Sequence, residues 1–198
     1  MVSTSLALLV FLAPLAFSPG PGNLFFAATG ARFGFRATLP ALAGYHAATW
    51  VVTAALGLGL IAALHDHPAA MRALTVAGAA YVLWLAWRIA RAGPLDDTGA
   101  ARHAGWVDGA VLLILNPKAY VIIALMFTHF LTRLPLAPVP SVLLIATLFT
   151  ANNLAAFALW SLAGDRLAAR FRSETGARRL NRMFGTMLAL VAIWMLTR

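Results

Sequence analysis

The sequence predicts an all-α integral membrane protein with six transmembrane helices. They are arranged as two inverted three-helix repeats, whose first helices (the first and fourth in the chain) are broken. Three observations predict this fold: an apolar composition, the placement of the arginines, and a matched pair of interruptions that contain proline. Hydrophobic residues make up 62% of the 198 and charged residues 11%, whereas a soluble domain carries roughly 25% charged residues. Because a soluble core of this size could not bury so much apolar surface, the lipid bilayer is the predicted solvent for most side chains.

The apolar stretches are long enough to cross a bilayer, which requires about 20 apolar residues in a helix. We predict transmembrane helices over residues 4–28, 38–64, 68–89, 106–131, 139–164 and 183–197. The first repeat then covers residues 1–90, a cytoplasmic linker covers 91–105, and the second repeat covers 106–198. The basic stretch 165–182 is predicted to be an amphipathic segment at the membrane interface.

The arginines indicate the orientation of the chain in the membrane. Eleven follow the first, third and fifth predicted helices, and three lie on the opposite side. Basic residues are enriched in cytoplasmic loops, so we expect a multi-pass protein of the cell inner (plasma) membrane with both termini periplasmic or extracellular. This placement also argues against nucleic acid as a partner, despite a net charge of +9. Since no basic residue precedes Arg32, the first stretch is expected to be a retained helix rather than a signal peptide.

Two interruptions mark the predicted substrate site. Residues 18–22 (Ser-Pro-Gly-Pro-Gly) interrupt the first apolar stretch, and residues 116–118 (Asn-Pro-Lys) interrupt the fourth. A proline removes a backbone donor and clashes with the preceding turn, so these breaks should free the carbonyl groups of Leu15, Phe17 and Leu113. Both breaks lie at similar depth, and paired broken helices mark the substrate site in inverted-repeat transporters. The predicted substrate-binding residues are Pro19, Gly20, Pro21, Gly22, Asn23, Asn116, Pro117 and Lys118.

Lys118 is the only lysine of the chain and lies about a dozen residues into an apolar stretch. A cation at that depth costs at least about 3 kcal/mol, and the membrane surface is beyond the reach of its side chain. We expect it to bind a carboxylate while charged or to carry a proton, since burial disfavours the charged form of an amine. His46 is either a packing residue or a second proton relay.

Other polar residues leave their roles open. Asp108 is either an acid at a helix start or a gate partner for an arginine. Asn152 and Asn153 are neighbours in the fifth stretch, so at most one should face the site. The amides of residues 22–24 suit a carboxylate and the freed carbonyls suit an ammonium group, a pair of charges that an α-amino acid carries. No acid lies near the breaks, which favours an uncharged side chain.

Several function classes are disfavoured by the residues that the chain lacks. With no cysteine, disulfides, thiolate metal sites and thiol redox chemistry are excluded, and we predict no cofactor and no metal. The His65-Asp66-His67 cluster is expected to be a solvated turn. An enzyme would need a nucleophile and a base, for which only Ser18 and His46 are available, so we expect no enzymatic activity. A non-transporting accessory protein remains an alternative.

Several motifs are found together in this chain: Pro19-Gly20-Pro21, the glycines Gly30, Gly34 and Gly44, Asn116-Pro117-Lys118-Ala119, the segment 78–84 and Gly185. At these motifs the chain resembles the LysE-type superfamily of amino-acid exporters, particularly its threonine and homoserine efflux branch. The resemblance spans essentially the whole chain. It implies export of small amino acids from the cytoplasm, driven by the proton gradient, while another small solute or a metal ion stays an alternative. The transported amino acid and the oligomeric state, a homodimer included, are left open.

Overall fold

The computed structural model of the chain describes residues 2–60, 68–91, 104–168 and 174–196, and the regular structure in these ranges is helical. A π-type turn, Leu56–Leu60, follows the helix that ends at Ala55, and a short 3₁₀ turn, Leu131–Arg133, follows the helix that ends at Phe130. The His65-Asp66-His67 cluster and most of the predicted linker 91–105 lie outside the described residues. The α-helices are α1 (Val2–Phe17), α2 (Pro21–Phe33), α3 (Phe35–Ala55), α4 (Pro68–Ala90), α5 (Trp106–Ile114), α6 (Pro117–Phe130), α7 (Pro138–Ala168) and α8 (Glu174–Leu196).

The helices have the length and composition of an integral membrane protein. Among the described residues, Phe35–Gly59 and Pro138–Ala168 are each long and apolar enough to cross a bilayer. Two bent pairs raise this number to four if each pair is one span: α1 with α2, which meet at 61°, and α5 with α6, which meet at 63°. Both breaks therefore fall where the prolines predict them. The predicted third and sixth spans correspond to α4 and α8, and the six-helix repeat stays a prediction.

The basic stretch 165–182 does not form a segment of its own in the described residues. Residues 165–168 are the last turn of α7, and residues 174–182 are the first turns of α8. The sixth predicted helix therefore begins at Glu174 instead of residue 183. Arginine is a good helix former, so the basic residues before residue 183 belong to the same helix as the apolar residues after it.

Two helix pairs approach each other to backbone contact through glycine. In the first pair, α2 and α7, a Cβ atom on Gly30 would lie 2.2 Å from the carbonyl oxygen of Ser161, and one on Gly164 would lie 2.0 Å from that of Ala27. On each helix the glycine lies three residues after the residue whose carbonyl oxygen the other helix contacts. Small residues permit such close approach between membrane helices.

The second pair, α3 and α5, repeats this arrangement. A Cβ atom on Gly44 would lie 1.9 Å from the carbonyl oxygen of Trp106, and one on Gly109 would lie 2.0 Å from that of Ala41. The spacing of three residues is the same on both helices. The α2–α7 and α3–α5 contacts lie on one side of the molecule, near the end of α7 and the start of α5.

The opposite side is held together by side chains. Leu8 and Leu12 of α1 pack with Met126 and Phe130 of α6 and with Ile145 of α7 in one buried apolar cluster. Contacts between side chains adapt by changing rotamer, whereas a contact between backbones cannot. The two sides of the protein are therefore closed by different means, with the helix breaks between them.

The corner between α2 and α3 is fixed by an acid from the end of α7. Gly34 adopts a φ of 81°, in the left-handed region that favours glycine. The next amide, Phe35 N–H, donates to Asp165 Oδ2 at 3.1 Å. Asp165 thus satisfies a donor in the first turn of α3 and ties this corner to α7.

Candidate functional site

The two helix breaks are built in the same way. After each break the chain resumes as a helix whose first residue is a proline, Pro21 in α2 and Pro117 in α6. Proline suits this position because the first amides of a helix have no acceptor within it. The residues that precede them, Gly20 and Asn116, have extended backbone. The breaks are therefore stops followed by new helix starts, and the positive ends of two half-helices face the same region.

Lys118 connects the two breaks. Its Nζ donates hydrogen bonds to the Ser18 carbonyl oxygen at 3.0 Å and to the Ser18 Oγ at 2.9 Å. The side chain lies over Gly20, where an added Cβ atom would be 3.1 Å from both Lys118 Cδ and Nζ. The lysine thus reaches across to the first break and is only partly buried. Two positions 100 residues apart in the chain are joined by one cation.

The carbonyl groups that the prolines free all have protein partners. A freed carbonyl group in lipid must find a partner or line a cavity, and here the partners are one hydroxyl, one indole and one backbone amide. The indole comes from α7, so a tryptophan that no local pattern indicates completes the first break. The bonds are Ser18 Oγ to Leu15 O at 2.9 Å, Trp160 Nε1 to Phe17 O at 3.2 Å, and Asn116 N to Leu113 O at 2.9 Å.

Two buried asparagines hold the breaks in shape. Asn23 Nδ2 donates to the Ala16 carbonyl oxygen at 2.9 Å and so links the start of α2 to the end of α1. Asn116 Oδ1 accepts from the Lys118 backbone amide at 3.2 Å, and its Nδ2 donates to the Tyr45 hydroxyl at 3.0 Å. Asn116 is thus both a helix cap and a link between α6 and α3.

A small cavity lies between the breaks. Its volume of about 20 Å³ is enough for roughly one water molecule. An amino acid does not fit, so the site is closed in this conformation. The wall is mixed: its polar residues are Asn23, Tyr45, Asn116, Lys118 and Asn153, and its larger apolar residues are Leu15, Ile122, Phe149 and Phe157.

Tyr45 and Phe157, which line the cavity, form an aromatic cluster with His46. Tyr45 is buried, and its ring packs against Phe157 with centroids 4.8 Å apart. His46 is also buried; its Nδ1 bonds to the Leu42 carbonyl oxygen at 2.7 Å, and its ring meets Phe157 edge to face. His46 is not among the cavity-lining residues. His46 therefore contacts two rings of the cavity wall, Tyr45 and Phe157, without lining the cavity itself.

Of the two adjacent asparagines in α7, only one faces the cavity. Asn153 lines it and is buried, whereas Asn152 does not line it. This matches the expectation that neighbouring helical residues point in different directions. Sequence reasoning missed Tyr45, Phe149, Phe157 and Trp160, because each is an ordinary residue of a continuous helix.

Asp108 lies apart from the cavity. Its Oδ2 accepts from the Gly105 backbone amide at 2.7 Å, which gives it the helix-start role. The gate role stays a prediction. The Ser18 hydroxyl contacts Lys118 and not His46, and the described residues contain no group of three or more His, Asp or Glu side chains placed to hold a metal ion.

Comparisons with known proteins agree with a transport protein. A family model described as "LysE type translocator" matches residues 13–198. The cysteine/O-acetylserine efflux protein of Klebsiella pneumoniae subsp. pneumoniae is 32% identical over 193 residues, which cover 94% of each chain. The efflux proteins of the same name from Escherichia coli (strain K12) and Salmonella typhimurium are each 31% identical over 182 residues, 90% of each chain. No solved structure matches the chain.

Proposed function

We propose that this chain, which belongs to the LysE type translocator family, exports small amino acids with uncharged side chains from the cytoplasm and couples this export to protons. The observation that carries the proposal is the position of Lys118, whose ammonium group lies where two broken helices meet beside a closed cavity. A charged side chain within the membrane is costly, and such residues mark substrate and proton pathways.

The cavity can recognise both charges of an amino acid. In the structure the Lys118 ammonium group is bonded to Ser18. A substrate carboxylate would replace Ser18 as the partner of this cation, beside the positive ends of α2 and α6. The Ser18 carbonyl would then accept a hydrogen bond from the substrate ammonium group. This exchange of partners keeps every polar group paired while the substrate is bound.

The walls of the cavity favour an uncharged side chain. None of the described lining residues is acidic, so a cationic side chain would have no counter-charge. The relatives are named for cysteine and O-acetylserine, two small amino acids with uncharged side chains. We therefore take these two as the first candidate substrates, and threonine and homoserine, to which the sequence motifs point, as the next two.

Transport would proceed by alternating access between the two repeats, residues 1–90 and 106–198. The α2–α7 and α3–α5 contacts close one side, which we assign to the cytoplasm from the arginine placement. The apolar cluster around Met126 closes the other side. The coupling proton is carried by Lys118 or by His46, and Asp108 is a candidate gate. Both termini then face the periplasm or the outside.

The decisive experiment is amino-acid efflux from cells that overproduce the protein. The cytoplasm is loaded with dipeptides that release cysteine, threonine, homoserine or other amino acids, or with O-acetylserine itself. We expect faster efflux of one or a few of these, and loss of that efflux in Lys118→Ala at an equal amount of protein in the membrane. Arg72→Ala removes one positive charge from an exposed position and serves as the control.

Two results would contradict the proposal. If no amino acid leaves faster despite good membrane expression, the substrate class is wrong. If Lys118→Ala transports normally, the assigned site is wrong even though the function stands. The orientation is tested separately with single cysteines introduced near Arg91 and Arg133, which report without background because the natural chain has no cysteine. Labelling from outside near Arg91 would reverse the assigned topology.

A further inference from the structure

We infer that the first turns of α8 form a binding site for the headgroup of an anionic phospholipid, whose acyl chains lie along the same helix. The site is a recess of about 510 Å³ lined by Thr175, Arg178, Arg179 and Arg182. It lies outside the transport cavity, and nothing in the transport proposal requires it. The inference depends only on the membrane embedding of α8.

The arginines are placed on one face of the helix by their spacing. Positions 175, 178, 179 and 182 are separated by three, four and seven residues, which brings their side chains together along about two turns. All three arginines are exposed. Arg178 already has a contact within the protein, so the headgroup is assigned to Arg179 and Arg182. The planar guanidinium groups match the geometry of a phosphate with two parallel hydrogen bonds each.

An exposed apolar stripe continues directly from the arginines. Starting four residues after Arg179, it consists of Met183, Met187, Leu190 and Ile193, all of them exposed. The opposite face of α8 is occupied, because Gly185 packs against Ala86 and Ala90 of α4. A free phosphate would use only the arginines. A phospholipid would use both features, since its headgroup and its acyl chains are joined in the same order as the arginines and the stripe.

The depth of the arginines in the membrane supports the same ligand. The residues from Met183 to the end of α8 at Leu196 rise about 21 Å along the helix axis, which is less than the hydrocarbon thickness of about 30 Å. A helix with a short apolar part draws its flanking residues towards the headgroup layer. Arg179 and Arg182 therefore lie at the level of the lipid phosphates.

The test compares lipid binding by the purified full-length protein and two variants. Binding of phosphatidylglycerol, which is anionic, and phosphatidylcholine, which has no net charge, is measured by native mass spectrometry from mixed micelles. The variant Arg179→Gln/Arg182→Gln removes the proposed contacts. The control Arg72→Gln/Arg133→Gln removes the same charge from two exposed positions elsewhere.

We expect the native protein to prefer phosphatidylglycerol. Each arginine near an anionic surface contributes roughly a fivefold gain in binding, so the α8 variant should lose about 25-fold in affinity for this lipid, while the control changes by less than about twofold. An equal loss in both variants would show a general charge effect and overturn the site, as would an unchanged α8 variant. Full displacement of the lipid by excess inorganic phosphate would mean a simple anion site and would also overturn the inference.

Discussion

Replacing Gly30 with alanine tests whether backbone contact between α2 and α7 is needed for the closed conformation. The added methyl group would lie 2.2 Å from the Ser161 carbonyl oxygen and 3.0 Å from its carbon. Both atoms are backbone, so no change of rotamer relieves the clash. Because carbon and oxygen in a close contact stay about 3.3–3.6 Å apart, the two helices must separate by about 1 Å.

The cost of this separation can be worked out from its two opposing terms. Overpacking of a close-packed contact costs about 1–3 kcal/mol. Alanine in place of glycine inside a helix returns up to about 1 kcal/mol. Because both atoms in the clash are backbone, the overpacking cost lies in the upper part of its range, at about 2–3 kcal/mol. With about 1 kcal/mol returned by alanine, the closed conformation loses about 1–2 kcal/mol, which corresponds to a shift of roughly 5- to 30-fold towards conformations with α2 and α7 apart.

Two assays read out this shift. The midpoint of thermal unfolding in detergent should fall by about 2–8 °C, and amino-acid efflux should decrease because the side closed by glycine no longer seals. Gly164→Ala acts on the same contact, so the double variant with Gly30→Ala should be less destabilised than the sum of the two. Gly44→Ala lies in the α3–α5 contact and should add to Gly30→Ala in full.

The control is Ala163→Leu, which enlarges an exposed side chain of α7 next to Gly164 and introduces a residue that favours the helix. It should leave both the unfolding midpoint and the efflux close to native values. If Gly30→Ala behaves like this control, the close approach of α2 and α7 is not required and the reasoning is refuted. If Gly30→Ala and Gly164→Ala prove fully additive, they do not share one contact.

Three further substitutions probe the walls of the site. Trp160→Phe removes the indole donor at the first break and leaves a carbonyl oxygen without its partner, so stability should fall by about 1–3 kcal/mol in a thermal or denaturant titration, and an unchanged midpoint would contradict this role. Tyr45→Phe removes the hydroxyl that accepts from Asn116; efflux should slow with little loss of protein in the membrane, and native efflux rates would show that the hydroxyl is dispensable. Gly22→Ala would place a methyl group 2.6 Å from the Phe157 ring, so we expect weak efflux that the double variant with Phe157→Leu partly restores, and an absence of rescue would mean that the glycine is needed for another reason.

The family and the positions of the helix breaks followed from the sequence. Prolines interrupt the chain at residues 18–22 and 116–118, and the second interruption contains the sole lysine. These motifs indicated a LysE-type translocator, and the family comparison confirmed it. The breaks were predictable because proline acts on the backbone of its own and the preceding turn, whatever the rest of the protein does. The six-helix repeat, the orientation and the substrate-binding roles remain predictions.

The side chains that bond to the residues at the two helix breaks were not predictable in the same way. The lysine was expected to matter because a buried cation is costly, but its bonds to Ser18, 100 residues away, depend on how the two breaks meet. Trp160 and Tyr45 carry no local signal at all, since each is one aromatic residue in an apolar helix. Which of Asn152 and Asn153 faces the cavity was likewise fixed only by the rotation of α7 in the packed protein.

The sequence by itself determined the apolar, membrane-protein character of the chain, where its helices break and which charge is placed at a break, because hydropathy and proline act over a few neighbouring residues. Tertiary structure alone decided which groups satisfy the freed carbonyls, which glycines bring α2 to α7 and α3 to α5, and how small the closed cavity is. These depend on distances between residues that are far apart in the chain, such as Gly30 and Ser161. Such distances follow from the packing of the complete set of helices.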